Sequence, residues 1–94
     1  MALLHEERTY KIIGACIAVH KALGNGFLES VYEEALEREF IKENIPYSRQ
    51  HKLYILLNGE RLNKSFKVDF LCYDTIILEI KAASFLHIDN KKQT

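Results

Sequence analysis

An α/β domain of order α-α-β-β-β, followed by the start of a further helix, is the fold class that the sequence predicts, and three observations predict it. Apolar residues recur at helical spacing on both sides of Gly24-Asn25-Gly26, from about residue 6 to residue 43. After Pro46 the pattern becomes strand-like and is interrupted by Asn58-Gly59, the strongest hairpin signal in the chain. The stretch from Ser65 to Ser84 then reads as two strands rich in Phe, Val, Ile and Leu, separated by Tyr73-Asp74-Thr75.

Each element follows from its local pattern. The first helix, from about Glu6 to Leu23, places Ile12, Cys16, Val19 and Leu23 on one stripe, widened by Ile13 and Ile17. Gly24-Asn25-Gly26 ends it, because Gly and Asn tolerate the left-handed backbone that closes a helix, and Gly26 can open the next. The second helix is predicted from about Phe27 to Glu43, with Val31, Tyr32, Ala35, Leu36 and Phe40 as its core stripe. Ser48 to Leu57 predicts a strand with Leu53, Ile55 and Leu57 on one face. A second strand from about Glu60 and a third after Thr75 complete a three-stranded antiparallel meander flanked by helices. Phe85 to Thr94 reads as a loop and the first turns of a helix.

The 94 residues, 48% apolar and 28% charged, predict a single soluble domain spanning 1–94 and exclude a disordered chain. Apolar runs fall far short of the ~20 residues that cross a bilayer. The opening MALLHEERTY turns polar too soon for a secretory signal, so the expectation is a cytoplasmic protein with no membrane partner. Cys16 and Cys72 form no CxxC and read as buried free thiols, and the four histidines form no local metal cluster. Net charge is zero, but residues 1–44 hold five Lys/Arg against eight Asp/Glu, and residues 45–94 hold eight against five. This asymmetry hints that the sheet end faces a polyanion; an evenly mixed, solvated surface is the competing reading.

Asp69, Glu79 and Lys81 stand out because they interrupt otherwise apolar strands. Alternation puts Lys67, Asp69 and Leu71 on one face of their strand, opposite Phe66, Val68, Phe70 and Cys72. Ile77, Glu79 and Lys81 share a face of the next. A three-residue connection at Tyr73 to Thr75 sets Asp69 across from Glu79, whereas a two-residue turn splits the carboxylates between faces. Two carboxylates on adjacent strands offer hard oxygen ligands for Mg2+ or Mn2+, and a lysine two residues beyond the Glu can orient a water and offset transition-state charge. These are the parts for metal-dependent phosphodiester hydrolysis. The competing reading is an exposed cross-strand ion pair of little consequence, which predicts exposure at all three residues.

Glu29 has two readings as well: three residues after Gly26 it can cap the second helix, or it can serve a site. The runs Ile12-Ile13-Gly14-Ala15, Val19-His20, Leu23-Gly24 and Gly26-Phe27-Leu28-Glu29-Ser30-Val31-Tyr32-Glu33 resemble the opening of the GxxExxY protein family. Val68-Asp69-Phe70-Leu71 and Ile77-Leu78-Glu79-Ile80-Lys81-Ala82 resemble its later motifs. That family is assigned to the PD-(D/E)XK nuclease-like superfamily, so the resemblance implies a restriction-endonuclease-like core. It implies Asp69 and Glu79 as metal ligands, with the Ile80 carbonyl completing the shell, Lys81 as the catalytic lysine and Glu29 as the helix-borne acid. Tyr32, one turn along, would position Glu29. The implied cofactor is Mg2+ or Mn2+, and the implied partner is nucleic acid. Family members continue with a helix and a further strand beyond the ExK strand, which this chain is expected to lack. Oligomerisation is one way to cover the sheet, and an inactive, nuclease-derived binding module is the alternative to catalysis.

Overall fold

The computed structural model describes residues 3–81 and 86–90. Helices α1 (Leu3–Leu23) and α2 (Glu29–Lys42) precede strands β1 (Tyr47–Leu57), β2 (Glu60–Cys72), β3 (Ile76–Ile80) and β4 (Leu86–Asn90). The sheet runs β1-β2-β3-β4, with every neighbouring pair antiparallel. The α-α-β-β-β core is the one expected. The helix start expected within 85–94 is corrected in part, because residues 86–90 form a strand; residues 85 and 91–94 lie outside the described ones. β3 has a second backbone edge whose donors and acceptors need partners. Leu86–Asn90 supplies them through the pairs Ile80↔Leu86, Leu78↔Ile88 and Ile76↔Asn90.

The helices pack on the sheet through one cluster. Ile12, Ala15, Cys16 and Val19 of α1 meet Tyr32, Leu36 and Phe40 of α2 over Phe70, Cys72, Ile76, Leu78 and Ile80. Tyr32, Leu36 and Phe40 are four residues apart, so α2 buries a narrow stripe. Ile17 is 52% exposed rather than buried, since each helical residue advances about 100° and one step past Cys16 leaves the stripe. Phe40 meets Phe70 edge-on at 5.2 Å, and Tyr47 lies 5.6 Å from Phe40 and 5.8 Å from Phe70. Such side chains each contribute about 1.5–3 kcal/mol on burial.

α2 ends in a Schellman-type closure. Asn44 takes a left-handed φ of 59°, the Asn44 amide donates to Ile41 O, and the Ile45 amide reaches back to Phe40 O at 2.9 Å. This turn aims the chain into β1.

The strand connections follow the sequence closely. Asn58 and Gly59 both have positive φ and join Leu57 to its partner Glu60. Tyr73 and Asp74 are also left-handed, and Cys72 pairs with Ile76, leaving a three-residue connection. One feature departs from simple alternation. Val68 and Phe70 are two apart, yet Phe70 belongs to the helix-side cluster while Val68 packs with Leu53, Leu71 and Ile77. The shared face expected for Phe66, Val68, Phe70 and Cys72 is therefore broken. The break lies where Gln50 adopts φ 53° and the β1–β2 pairing skips from Arg49↔Phe70 to His51↔Val68. A left-handed residue in an extended strand turns the following side chains over, so the outer part of the ribbon presents the opposite parity to the helices.

Candidate functional site

Asp69 sits at this break. The β2–β3 ladder runs Cys72↔Ile76, Leu71↔Ile77 and Phe70↔Leu78, a phase that carries Asp69 towards Glu79. At that point a side chain takes over from the backbone: the Ile80 amide donates to Asp69 Oδ2 at 2.7 Å. Asp69 and Glu79 are half-buried, which a purely solvated ion pair does not require. Lys81 is more open, its side chain 54% exposed, and its Nζ lies 3.5 Å from Glu79 Oε1. The structure thus links Asp69 to the Ile80 backbone and Lys81 to Glu79.

Glu29 and Tyr32 occupy the start of α2. Leu28 is the N-cap and makes no side-chain cap bond, so α2 opens at Glu29 rather than at Phe27 and Gly26 is not its cap. Glu29 is exposed in the first turn, where its charge complements the helix dipole. No hydrogen bond or ion pair among the described residues joins it to Asp69, Glu79 or Lys81. Tyr32 is buried, and its hydroxyl donates to Gly24 O and accepts from the Phe27 amide. Gly24 and Gly26 have φ of 70° and 103°, so the tyrosine ties down a loop whose backbone needs glycine. The spacing of Gly26 and Tyr32 has a structural cause in this loop.

The acids of α2 that do reach the sheet are Glu33 and Glu37. Arg49 Nη2 lies 3.1 Å from Glu33 Oε1, and its Nη1 lies 2.9 Å from Glu37 Oε1. Gln50 Nε2 donates to Glu33 Oε2 at 2.9 Å, and the Tyr47 hydroxyl donates to Glu37 Oε2 at 2.8 Å. The hydrogen bond to Glu33 raises the Arg49 guanidinium pKa, and burial, then the bond to Glu37, raises that of the Tyr47 phenol. Sequence reasoning gave Glu33, Glu37, Arg49 and Gln50 no part in the site. The available signal was two glutamates at i, i+4 flanking Leu36, with an Arg-Gln pair opening the first strand.

Asp69, Glu79 and the Ile80 carbonyl are hard oxygen donors, right in kind for Mg2+ or Mn2+. Their number and engagement do not fit a resident cation. One Asp69 oxygen is held by an amide and one Glu79 oxygen faces an ammonium. Among the described residues, no group of three or more His, Cys, Asp or Glu side chains is placed to hold a metal ion. None of the described helices is long and apolar enough to cross a membrane.

Among known protein families, the model described as the PD-(D/E)XK nuclease superfamily matches residues 6–94. No curated protein and no solved structure matches the chain.

Proposed function

Because this chain belongs to the PD-(D/E)XK nuclease superfamily, we propose that it works as a nuclease-derived module that binds nucleic acid without hydrolysing it. One observation carries the reading. The carboxylates at the two metal-ligand positions have partners within the sheet, Asp69 in the Ile80 amide and Glu79 in Lys81. A carboxylate that replaces a backbone acceptor contributes to the fold, and a lysine beside a glutamate has its charge already offset. The site residues thereby keep a structural use after catalysis is lost. The excess of Lys and Arg in residues 45–94 supports a polyanionic partner.

The test is fluorescence anisotropy with a short labelled duplex and its single strand, in EDTA and then in Mg2+ or Mn2+. Binding that persists in EDTA, intact strands after long incubation, and unchanged affinity in Lys81→Ala are expected. Cation-dependent cleavage that disappears in both Asp69→Ala and Lys81→Ala would overturn the reading.

A second reading retains hydrolysis, and the three-residue connection before β3 favours it, since that spacing carries Asp69 and Glu79 in phase. In that reading Asp69, Glu79 and the Ile80 carbonyl would hold a divalent cation once Asp69 and Glu79 exchanged their present partners for it, Lys81 and Glu29 would serve the chemistry, and Tyr32 would fix the start of α2. The same incubation separates the two.

A further inference from the structure

The outer part of the β1–β2 ribbon carries a charge arrangement that the fold does not use. Lys52 and Lys67 are direct cross-strand partners, and both are exposed. Like charges placed opposite each other on a sheet destabilise it. No carboxylate lies within ion-pair distance of either lysine among the described residues, whereas Arg38 and Arg49 each have a glutamate. The next pair on that face is Tyr54↔Ser65, with Tyr54 45% exposed and the Arg61 guanidinium 3.5 Å from its ring centroid. Residues 52–67 contain Lys52, Arg61, Lys64 and Lys67 against Glu60 alone.

We propose that this face of the ribbon, Lys52, Lys67, Tyr54 and Arg61, is the surface that grips the phosphate backbone of a nucleic-acid duplex. The inference rests on the binding reading above and names the element responsible. Phosphates relieve the repulsion between the two lysines, and neutralising them releases counterions that drive association. A two-stranded ribbon is also narrow enough to enter a major groove about 12 Å wide. The Tyr54 ring orients Arg61 by cation–π contact, holding its remaining donors towards the same ligand.

Lys52→Glu separates this use from structure, because it turns a like-charge pair into an opposite-charge pair. The variant is expected to melt at a higher temperature while binding a labelled duplex at least about tenfold more weakly, with a shallower salt dependence. Lys21→Glu, on exposed helix surface, is expected to bind as wild type. Should Lys52→Glu melt lower instead, Lys52→Gln decides: a several-fold loss of affinity upholds the proposal and unchanged affinity overturns it. Duplex binding untouched by Lys52→Glu, or weakened equally by Lys21→Glu, overturns the ribbon assignment alone. A wild-type chain that ignores the duplex, whether or not it binds phosphatidylserine vesicles, overturns the binding reading and this one with it.

Discussion

The Ile80 amide donates to the Asp69 carboxylate at 2.7 Å where the β2–β3 ladder has run out of backbone pairs. The carboxylate stands in for a main-chain carbonyl, so a side chain stitches the two strands together at this point. Removing that acceptor has a defined cost. Asp69→Ala is expected to lose about 1–3 kcal/mol of stability by leaving a donor unsatisfied, while Asp69→Asn, which keeps an acceptor oxygen, retains most of it. Urea denaturation of the three proteins checks this, and equal losses in Ala and Asn would show that charge, not the acceptor, matters.

Tyr32→Phe preserves the buried ring and removes the hydroxyl that bridges Gly24 O and the Phe27 amide. A loss of about 0.5–1.5 kcal/mol is expected. Faster hydrogen exchange at the Phe27 amide should accompany it, with exchange in the sheet rising only as far as the global loss dictates. Leu36→Ala, in the fully buried stripe, should cost more, about 2–5 kcal/mol.

Arg49 spans Glu33 and Glu37 with two different nitrogens, a geometry a lysine cannot reproduce. Melting temperatures are expected in the order wild type, Arg49→Lys, Arg49→Ala. The gap between the first and last should narrow at high salt, since the pair is partly exposed. A salt-independent gap would assign the loss to side-chain packing instead.

Burial pushes the Cys16 and Cys72 thiols up to about 12, and Cys72 also opposes the ionisation of Cys16. In the unfolded chain they ionise near their ordinary value of about 8.5, so between that pH and the folded value the native state binds more protons and stability falls as pH rises. The expected slope is about 1.4 kcal/mol per pH unit for each thiol, fully relieved below the unfolded value. Denaturation midpoints measured from pH 8 to pH 10.5 should fall more steeply for wild type than for Cys16→Ala/Cys72→Ala. Neither thiol should react with a disulfide reagent at neutral pH until the protein unfolds.

The helices and the meander were legible because their signals are local. Leu36 and Phe40 keep helical spacing, Asn58-Gly59 demands a tight hairpin, and three residues between Cys72 and Ile76 set the register. Gln50 was not legible: nothing about glutamine favours a left-handed backbone, and its conformation accompanies a tertiary bond to Glu33. The same limit hid the acids facing the sheet. Glu29 and Glu33 are one turn apart and alike in sequence, and only the placement of Arg49 distinguishes Glu33. Phe85 to Thr94 reads as a loop and the first turns of a helix because a stretch as short as Leu86–Asn90 does not declare its period, and pairing with β3 makes that stretch a strand.

The left-handed kink at Gln50 has a wider consequence. Inboard of it, Phe70 and Cys72 face the helices; outboard, Lys52 and Tyr54 are exposed, while Leu53 and Val68 pack with Leu71 and Ile77 in a separate cluster. Changes at the exposed outboard positions 52 and 54 therefore leave the helix-side core untouched, whereas a change at Leu53 or Val68 is felt inboard at Leu71 and Ile77.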